Sequence, residues 1–269
     1  MKSLARIRHI ALDMDGTLYL GGRLFPWTQG FLETLRNKGI GYTFLTNNPT
    51  KSVADYLAKL AGMGIEASED NMLTTSLAAI DWLKENLPQA RRLFLLGTPS
   101  MVSQFGKAGF EACEDDPSDR PDALVVSFDM TLTYDRLCRA AWWASQGIPY
   151  IATNPDRVCP TEKETILVDC GSIQKCIEEA TGRRADIVLG KPDPTMLQEI
   201  MHRHGLEPEE VAMVGDRIYT DIAMARNAGA VGILVLSGET TPEMLKGIAP
   251  PDFVFDNVGS LGEAIASLK

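Results

Sequence analysis

The sequence lacks the features that mark a membrane-spanning or secreted chain. In its 269 residues the longest apolar stretch covers residues 228–236, contains two glycines and is far shorter than the roughly 20 residues that span a bilayer. The basic residues 1–8 lead through a short apolar run to Asp13, so we expect neither a signal-peptide core nor a cleavage site. The five cysteines are an odd number without Cys-x-x-Cys spacing, so neither a disulfide framework nor a zinc site is indicated. We therefore expect a cytoplasmic protein without membrane contact.

Positive charge is also scarce. Lys and Arg number 26 against 36 Asp and Glu, which gives a formal net charge of −10. Binding to a phosphate backbone needs clustered basic side chains, so we expect no nucleic-acid partner. With 45% hydrophobic and 23% charged residues spread along the chain, the composition is that of a globular protein with one large domain or two smaller ones.

Short apolar runs alternate with helical patterns along the whole chain, which predicts an α/β fold built on a parallel sheet with helices on both faces. Residues 194–204 illustrate the helical pattern, because Leu197, Ile200, Met201 and His204 recur at helical spacing. Polar residues 114–121 predict a surface loop, and residues 181–184 a second loop that passes between domains. The predicted strands are residues 7–12, 42–45, 93–96, 123–127, 150–152, 187–189, 211–214 and 231–236.

Acidic residues follow two of these strands. Asp13 and Asp15 come directly after the first strand, and Gly16 permits the backbone to leave β geometry so that both acids can converge. Asp216 stands at the end of the strand at 211–214, and Asp221 lies where a helix begins. The alternatives are an ordinary Asp-Gly turn and an ordinary helix cap. Several carboxylates at one edge of a sheet repel each other unless a cation is present, and oxygen ligands of this kind suit Mg²⁺.

Two further segments could bind an anion at the same edge. Thr46, Asn47 and Asn48 follow the strand at 42–45 and precede a predicted helix whose free N–H groups could cradle an anion. Lys191 follows the strand at 187–189 and opens the helix at 194–204. The alternatives are a helix cap followed by proline and a solvated surface lysine. A second Thr-Asn turn at Thr153 competes with the first for the same role.

The four segments taken together resemble the sequence motifs of the haloacid dehalogenase superfamily of phosphohydrolases, within the branch of NagD-like and 4-nitrophenylphosphatase-like enzymes. The resemblance spans nearly the whole chain, and no motif position departs from the pattern. The matching motifs, in order, are Asp13-Met-Asp15-Gly-Thr-Leu, Thr46-Asn47-Asn48, Gly-Lys191-Pro-Asp-Pro and Gly215-Asp216-Arg-Ile-Tyr-Thr-Asp221.

The resemblance implies a Rossmann-like catalytic core of residues 1–77 and 187–269 with an inserted α/β cap, residues 78–186, of the C2 type. The motif order assigns phosphate binding to Thr46, so the second Thr-Asn turn falls in the cap. Thr153, Asn154 and Asp156 of that turn are the candidates for substrate specificity. The segment that begins at Ser127 looks like the nucleophile motif but lacks its second acid and its glycine, which indicates the end of a cap strand. Trp142 and Trp143 are expected in the cap core or in a cap-to-cap surface.

The resemblance also implies a mechanism for hydrolysis of small phosphate monoesters through an aspartyl-phosphate. Asp13 would be the nucleophile and Asp15 the general acid and base, which requires an Asp15 pKa above its ordinary value. Mg²⁺ would bind the Asp13 carboxylate, the backbone carbonyl of Asp15 and Asp216.

The remaining motif residues would hold the phosphoryl group. They are Thr46, the N–H of Asn47, Asn48 and Lys191, with Asp221 in support. The implied ester is a sugar phosphate, glycerol phosphate, phosphoglycolate, nucleotide or aryl phosphate, and the family pattern allows a homodimer formed through the cap.

Two other functions remain open from the residues alone. A phospho-acceptor signalling module also carries Asp, Thr and Lys at parallel strand ends, although the length and the cap-sized insertion count against it. A sugar-phosphate-binding protein without catalysis is the second alternative, and the intact set of acids and Lys191 counts against it. The three histidines offer no catalytic partner for a Ser-His-Asp or Cys-His arrangement.

Overall fold

The computed structural model describes residues 2–114, 116–159 and 164–268. The chain forms two compact units. The first unit comprises Met1–Thr46, Leu57–Leu73 and Lys191–Lys269, and the second comprises Asn47–Tyr56 and Thr74–Gly190.

Strands and helices alternate along the described residues. The strands are β1 His9–Leu12, β2 Tyr19–Leu20, β3 Arg23–Leu24, β4 Gly41–Thr46, β5 Met72–Thr74, β6 Arg92–Leu96, β7 Glu111–Ala112, β8 Ala123–Val126, β9 Tyr150–Ala152, β10 Val158–Cys159, β11 Leu167–Val168, β12 Ile187–Val188, β13 Val211–Gly215, β14 Val231–Val235 and β15 Phe253–Phe255. The α-helices are α1 Thr28–Asn37, α2 Val53–Gly62, α3 Thr75–Asn86, α4 Pro99–Lys107, α5 Tyr134–Ser145, α6 Cys170–Thr181, α7 Thr195–His204, α8 Ala223–Asn227 and α9 Val258–Ala266.

The first unit is built on a six-stranded sheet in the order β15-β14-β13-β1-β4-β5. Pairings from β15 across to β4 are parallel, with Leu12 opposite Val214 on one side and Phe44 on the other. The chain adds β4 and β5 on one side of β1 and then β13, β14 and β15 on the other side. The switch point, where the strand order reverses, therefore lies between β1 and β13. Ligands of such sheets bind outside the carboxyl ends of the strands at this point.

The strands beside the switch point are buried on both faces because they are continuously apolar. Every residue of β1, β13 and β14 is buried, which is the pattern of a parallel sheet covered by helices. Helices α7 and α8 contact β13, and α1 packs against α9. This packing fixes the carboxyl ends of β1 and β13 as a rigid edge.

The second unit contains a parallel five-stranded sheet in the order β12-β9-β8-β6-β7. Alternate residues of its strands face opposite cores: Leu124 and Val126 pack with residues of α5 and α6, and Leu93 and Leu95 pack with residues of α3 and α4. Trp143 is buried in the α5 core. Helices therefore cover both faces of this sheet, as the period-two alternation of strands requires.

The predicted α/β class and every predicted strand are confirmed, with ends that differ by at most two residues. The predicted helix at 194–204 is α7. The strands that the sequence analysis missed have two or three residues each: β2, β3, β5, β7, β10, β11 and β15. Runs this short carry too few positions for a periodicity.

The segment at 127–132 follows the end of β8 as predicted. Its acid, Asp129, forms an ion pair with Arg136. The Arg136 guanidinium donates to Asp129 Oδ2 at 2.6 Å and to the carbonyls of Leu95 and Gly97, both at 3.1 Å. An Asp129 that is committed to this bridge has a structural role.

The predicted boundaries at 77/78 and 186/187 differ from the division into compact units. Strand β12 pairs with β9 in the second sheet, and the chain returns to the first unit between Gly190 and Lys191, beyond the predicted passage at 181–184. Residues 114 and 116–121 of the predicted surface loop contain neither helix nor strand, and residue 115 lies outside the described residues. Within the described ranges, no helix combines the length and the hydropathy of a bilayer-spanning segment.

Candidate active site

The chain leaves β geometry immediately after β1. Asp13 keeps one sheet hydrogen bond, from its N–H to the Val214 carbonyl at 2.9 Å, and Gly16 then adopts a φ of +84° that other residues rarely take. The resulting turn places the Thr17 hydroxyl 3.3 Å from Asp13 Oδ2, to which it donates. The predicted exit at Gly16 is present, and Asp13 is buried at the carboxyl edge of the sheet.

The end of β13 supplies two more acids. Asp216 follows the strand directly, and Asp221 lies in a π-helical turn, Ile218–Ile222, which precedes α8. Such turns are rare and often occur at functional sites. Asp221 is fully buried, and its Oδ2 accepts from the Arg217 N–H at 3.0 Å.

Lys191 joins the two strand ends. Its ammonium is ion-paired with Asp13 Oδ1, and it lies 2.7 Å from Asp221 Oδ1. Burial by itself would lower the pKa of Lys191, but Asp13 and Asp221 outweigh burial and hold the pKa above its ordinary value. Lys191 is therefore a buried ammonium that lies between the carboxylates of Asp13 and Asp221.

Three buried carboxylates, those of Asp13, Asp216 and Asp221, form the acidic cluster. One oxygen of each lies within 4.8 Å of the others. Burial, then Asp13 and Asp221, raise the pKa of Asp216 to about 7, and burial together with Asp13 raises that of Asp221 to about 6. These raised pKa values indicate that the carboxylates repel one another despite the charges of Lys191 and Arg217, and a further cation would relieve that repulsion.

The donor set fits a hard divalent cation. Asp216 Oδ2 accepts from the Glu239 N–H at 2.6 Å, whereas Asp216 Oδ1 is buried and has no hydrogen-bond partner among the described residues. A Cβ on Gly16 would come within 2.6 Å of Asp216 Oδ2, so the glycine lets the two strand ends approach closely. Carboxylate oxygens of this kind are the ligands that Mg²⁺ prefers.

Asp15 lies at the solvent-exposed mouth of this turn. Partial burial raises its pKa above the ordinary value, and the Lys59 ammonium opposes that rise. The Gly21 N–H donates to Asp15 Oδ1 at 3.5 Å. An acid with a raised pKa and access to solvent has the property that the sequence analysis required of Asp15.

The Thr46-Asn47-Asn48 motif contributes Thr46 to the first unit and the two asparagines to the second unit. Thr46 is the last residue of β4, next to β1 in the sheet, and it is buried. Asn47 and Asn48 belong to the second unit, where Asn48 Oδ1 accepts from the N–H and the hydroxyl of Thr50 at 3.0 and 2.6 Å. The helix predicted after this motif is α2, which begins at Val53 because the Asn48–Thr50 turn comes first.

The two Thr-Asn turns meet inside the second unit. Asp156 Oδ2 accepts from Asn47 Nδ2 at 2.8 Å and from Asn154 Nδ2 at 3.1 Å, and Asn154 Nδ2 also donates to Asp169 Oδ1 at 3.0 Å. Thr153 and Asn154 are fully buried, whereas Asp156 is partly exposed. Of the three proposed specificity residues, Asp156 is therefore the one that bonds directly to Asn47, and Asn154 bonds to Asp156.

Sequence reasoning missed a loop, residues 237–240, that follows β14 and contacts the acidic cluster. The loop is Ser-Gly-Glu-Thr, and its Thr240 N–H donates to the Asp216 carbonyl at 3.2 Å. A polar turn at the carboxyl end of a strand beside β13 was the available signal. Trp142, unlike the buried Trp143, is 48% exposed.

Comparisons with known proteins agree with this geometry. Family models described as haloacid dehalogenase-like hydrolase and HAD-hydrolase-like match residues 10–111 and 188–261. An acid sugar phosphatase of Staphylococcus aureus is 33% identical over 259 residues, which is 96% of each chain.

Two solved structures cover nearly all of the chain. A 4-nitrophenylphosphatase from Thermotoga maritima is 42% identical, with 97% of this chain and 98% of that chain covered and a TM-score of 0.92. A glycerol phosphate phosphatase from Mycobacterium tuberculosis in complex with magnesium is 28% identical, with 98% and 79% covered and a TM-score of 0.88. The chain belongs to the haloacid dehalogenase-like hydrolases, in the branch of NagD-like and 4-nitrophenylphosphatase-like enzymes, and it is a phosphatase.

Proposed function

We propose that this phosphatase hydrolyses small phosphate monoesters with Mg²⁺ through an aspartyl-phosphate on Asp13. The observation that carries the proposal is the buried Lys191 ammonium between Asp13 and Asp221, with Asp216 completing the acidic cluster. A buried nucleophile beside a fixed cation, at the switch point of a parallel sheet, is suited to attack on an anionic phosphoryl group.

The first step forms a bond between an Asp13 carboxylate oxygen and phosphorus and breaks the ester P–O bond. The leaving oxygen takes a proton from Asp15, and the raised pKa of Asp15 favours this role. In the second step a water attacks phosphorus, Asp15 accepts the proton of that water, and the bond to Asp13 breaks. The products are the alcohol and inorganic phosphate.

The charges around Asp13 support phosphoryl binding. Lys191 supplies a permanent positive charge, and Thr17 holds one carboxylate oxygen of Asp13. We assign the phosphoryl oxygens to Lys191, Thr46 and the turn residues Asn47 and Asn48, the last three by their motif.

The Mg²⁺ ligands that we propose are the carboxylates of Asp13 and Asp216 and the backbone carbonyl of Asp15. When bound, the cation supplies charge that reduces the repulsion between Asp13 and a phosphate dianion. The relative from M. tuberculosis in complex with magnesium supports this choice of metal. Asp221 supports the site by orienting Lys191.

The second unit corresponds to most of the proposed cap at 78–186, and the first to most of the proposed core at 1–77 and 187–269. We propose that Thr153, Asn154 and Asp156 act on specificity by shaping the turn that follows β9, since Thr153 and Asn154 are buried. Sugar phosphates, glycerol phosphate and nitrophenyl phosphate are the substrate classes that the relatives' names support.

We also propose a cytoplasmic enzyme that dimerises through the cap. None of the cysteines forms a disulfide, which suits a reducing compartment. The exposed Trp142 offers an apolar contact for a second copy. A monomer mass by light scattering would contradict the dimer.

The test is phosphate release from a panel of phosphate monoesters, with and without Mg²⁺, by the wild type and by Asp13→Asn and Lys191→Ala. We expect Mg²⁺-dependent release that falls by at least about a hundredfold in both variants, while circular dichroism shows an intact fold. Near-normal release by Asp13→Asn would contradict the mechanism. A lasting aspartyl-phosphate without release would favour the signalling alternative.

A further inference from the structure

Asp216 is held from one side by the 237–240 loop. Its Oδ2 accepts from the Glu239 N–H, its own carbonyl accepts from the Thr240 N–H, and Gly238 lies so close that a Cβ there would overlap Asp216 Oδ2. Because Oδ2 accepts from the loop, Oδ1 is the oxygen that remains for a cation, and it has no hydrogen-bond partner among the described residues.

The same loop is tied to the other half of the site. The Ser237 hydroxyl donates to the Gly16 carbonyl at 2.8 Å, and Gly16 packs against the Asp216 carboxylate. The loop therefore joins the turn after β1 to the end of β13. Any movement of residues 237–240 would change the distance between these two sets of proposed metal ligands.

The Glu239 side chain anchors the loop. Arg217 Nε lies 2.9 Å from Glu239 Oε2, and the Tyr219 hydroxyl donates to Glu239 Oε1. Arg217 and Tyr219 both lie between Asp216 and Asp221 in the chain, so the anchor returns to the segment that carries these acids. The Glu239 side chain is 40% exposed, and the polar contacts of its carboxylate are with Arg217 and Tyr219.

We infer that Glu239 is a positioning residue for the metal ligand Asp216: its carboxylate, held by Arg217 and Tyr219, fixes the loop whose N–H selects the orientation of Asp216. The inference rests on the proposed function, because it requires a divalent cation at Asp216. Residues that orient metal ligands without touching the metal typically change metal affinity by about 10- to 100-fold when removed.

The test is Mn²⁺ binding without substrate, followed by the electron paramagnetic resonance signal of free Mn²⁺. We expect Glu239→Ala to raise the Kd for Mn²⁺ about tenfold. Glu239→Gln retains an oxygen and an amide for the anchor but loses the charge, so its Kd should stay within about threefold of the wild type. Glu243→Ala removes an equal charge from an exposed position nearby and should change the Kd by less than about twofold.

The outcomes separate the inference from the proposed function. Unchanged Mn²⁺ affinity in Glu239→Ala overturns the positioning role, and so does an equal loss in Glu239→Gln, which would indicate a charge effect. Absence of saturable binding in the wild type would refute the metal site itself. If Glu239→Ala does not fold, Ser237→Ala is the second test, because it removes the hydrogen bond from the loop to the Gly16 carbonyl without a change of charge. This variant should weaken Mn²⁺ binding several-fold. Wild-type affinity in a folded Ser237→Ala would then overturn the inference.

Discussion

Replacement of Asp216 by asparagine should stabilise the metal-free protein while it destroys the metal site. In the folded chain the pKa of Asp216 is raised to about 7, by burial and by the charges of Asp13 and Asp221. An unfolded Asp has a pKa of about 3.9, and one pKa unit corresponds to about 1.4 kcal/mol. Above pH 7, ionised Asp216 therefore destabilises the fold by about 4 kcal/mol relative to a group without the shift.

Asparagine removes this charge but leaves an amide where Asp216 Oδ1 has no hydrogen-bond partner, which costs about 1–2 kcal/mol. The expected net gain at pH 8 with a chelator is about 2–3 kcal/mol. At roughly 2–4 °C per kcal/mol, the Tm should rise by about 4–12 °C.

The pH dependence has a definite sign. The folded state binds the Asp216 proton more tightly than the unfolded state, so the penalty is fully present above pH 7 and disappears as the pH falls from 7 to 4. The Tm difference between Asp216→Asn and the wild type should therefore shrink over this window. Mg²⁺ at about 1,000 times its Kd should reverse the order, since binding then stabilises the wild type by about 4.1 kcal/mol, which exceeds the gain expected for the variant.

The assay is thermal unfolding followed by circular dichroism at pH 4 to 8, with chelator or Mg²⁺, and the exposed Glu243→Gln as control. A metal-free Asp216→Asn that melts below the wild type at pH 8 would refute the argument that the acidic cluster is repulsive. A gain that does not depend on pH would show that its cause is not the charge of Asp216.

Two further predictions concern stability away from the acidic cluster. Gly190→Ala should lower the free energy of unfolding, measured in urea, and this loss should exceed the loss caused by Gly182→Ala by more than about 1 kcal/mol. Both glycines have a positive φ, but a Cβ at Gly190 would overlap Thr75 and Asn47, whereas a Cβ at Gly182 would meet open space. Equal losses would contradict this. The pKa of His9 is lowered to about 4 by burial and then by the charges of His204 and Arg203. Between pH 4 and 6.5 the unfolded chain therefore binds the His9 proton more tightly than the folded chain does. The free energy of unfolding should fall by about 2–3 kcal/mol as the pH decreases through this window. His9→Gln should reduce that fall, and an acid profile that matches the wild type would be inconsistent with it.

Local patterns were sufficient to predict which residues follow which strands. The apolar runs before Asp13, Thr46 and Asp216 are long enough to identify β1, β4 and β13, and the carboxyl ends of parallel strands meet at one edge. The sequence alone therefore predicts that the acids at the ends of β1 and β13 lie at the same edge as Thr46 at the end of β4. Short edge strands such as β7 and β15 were not, because two or three residues contain no usable period.

The hydrogen-bonded turn at Asp156 shows where local patterns stop. Thr153, Asn154 and Asp156 were candidates for specificity because the family resemblance places their turn in a loop of the cap. The Asp156 side chain instead accepts from Asn47, and the Asn154 side chain donates to Asp169, which precedes α6. Partners that are 15 to 109 residues apart in the chain cannot be assigned from spacing.

The order and identity of the reactive groups were already contained in the chain, because covalent neighbours and strand periodicity are local properties. The distances among Asp13, Lys191, Asp216 and Asp221, the burial that shifts their pKa values, and the contact of the 237–240 loop with Asp216 arise only in the folded protein. Each depends on segments brought together by the strand order around the switch point. Burial and Coulomb energies depend on distance in space, which the spacing of residues along the chain does not contain.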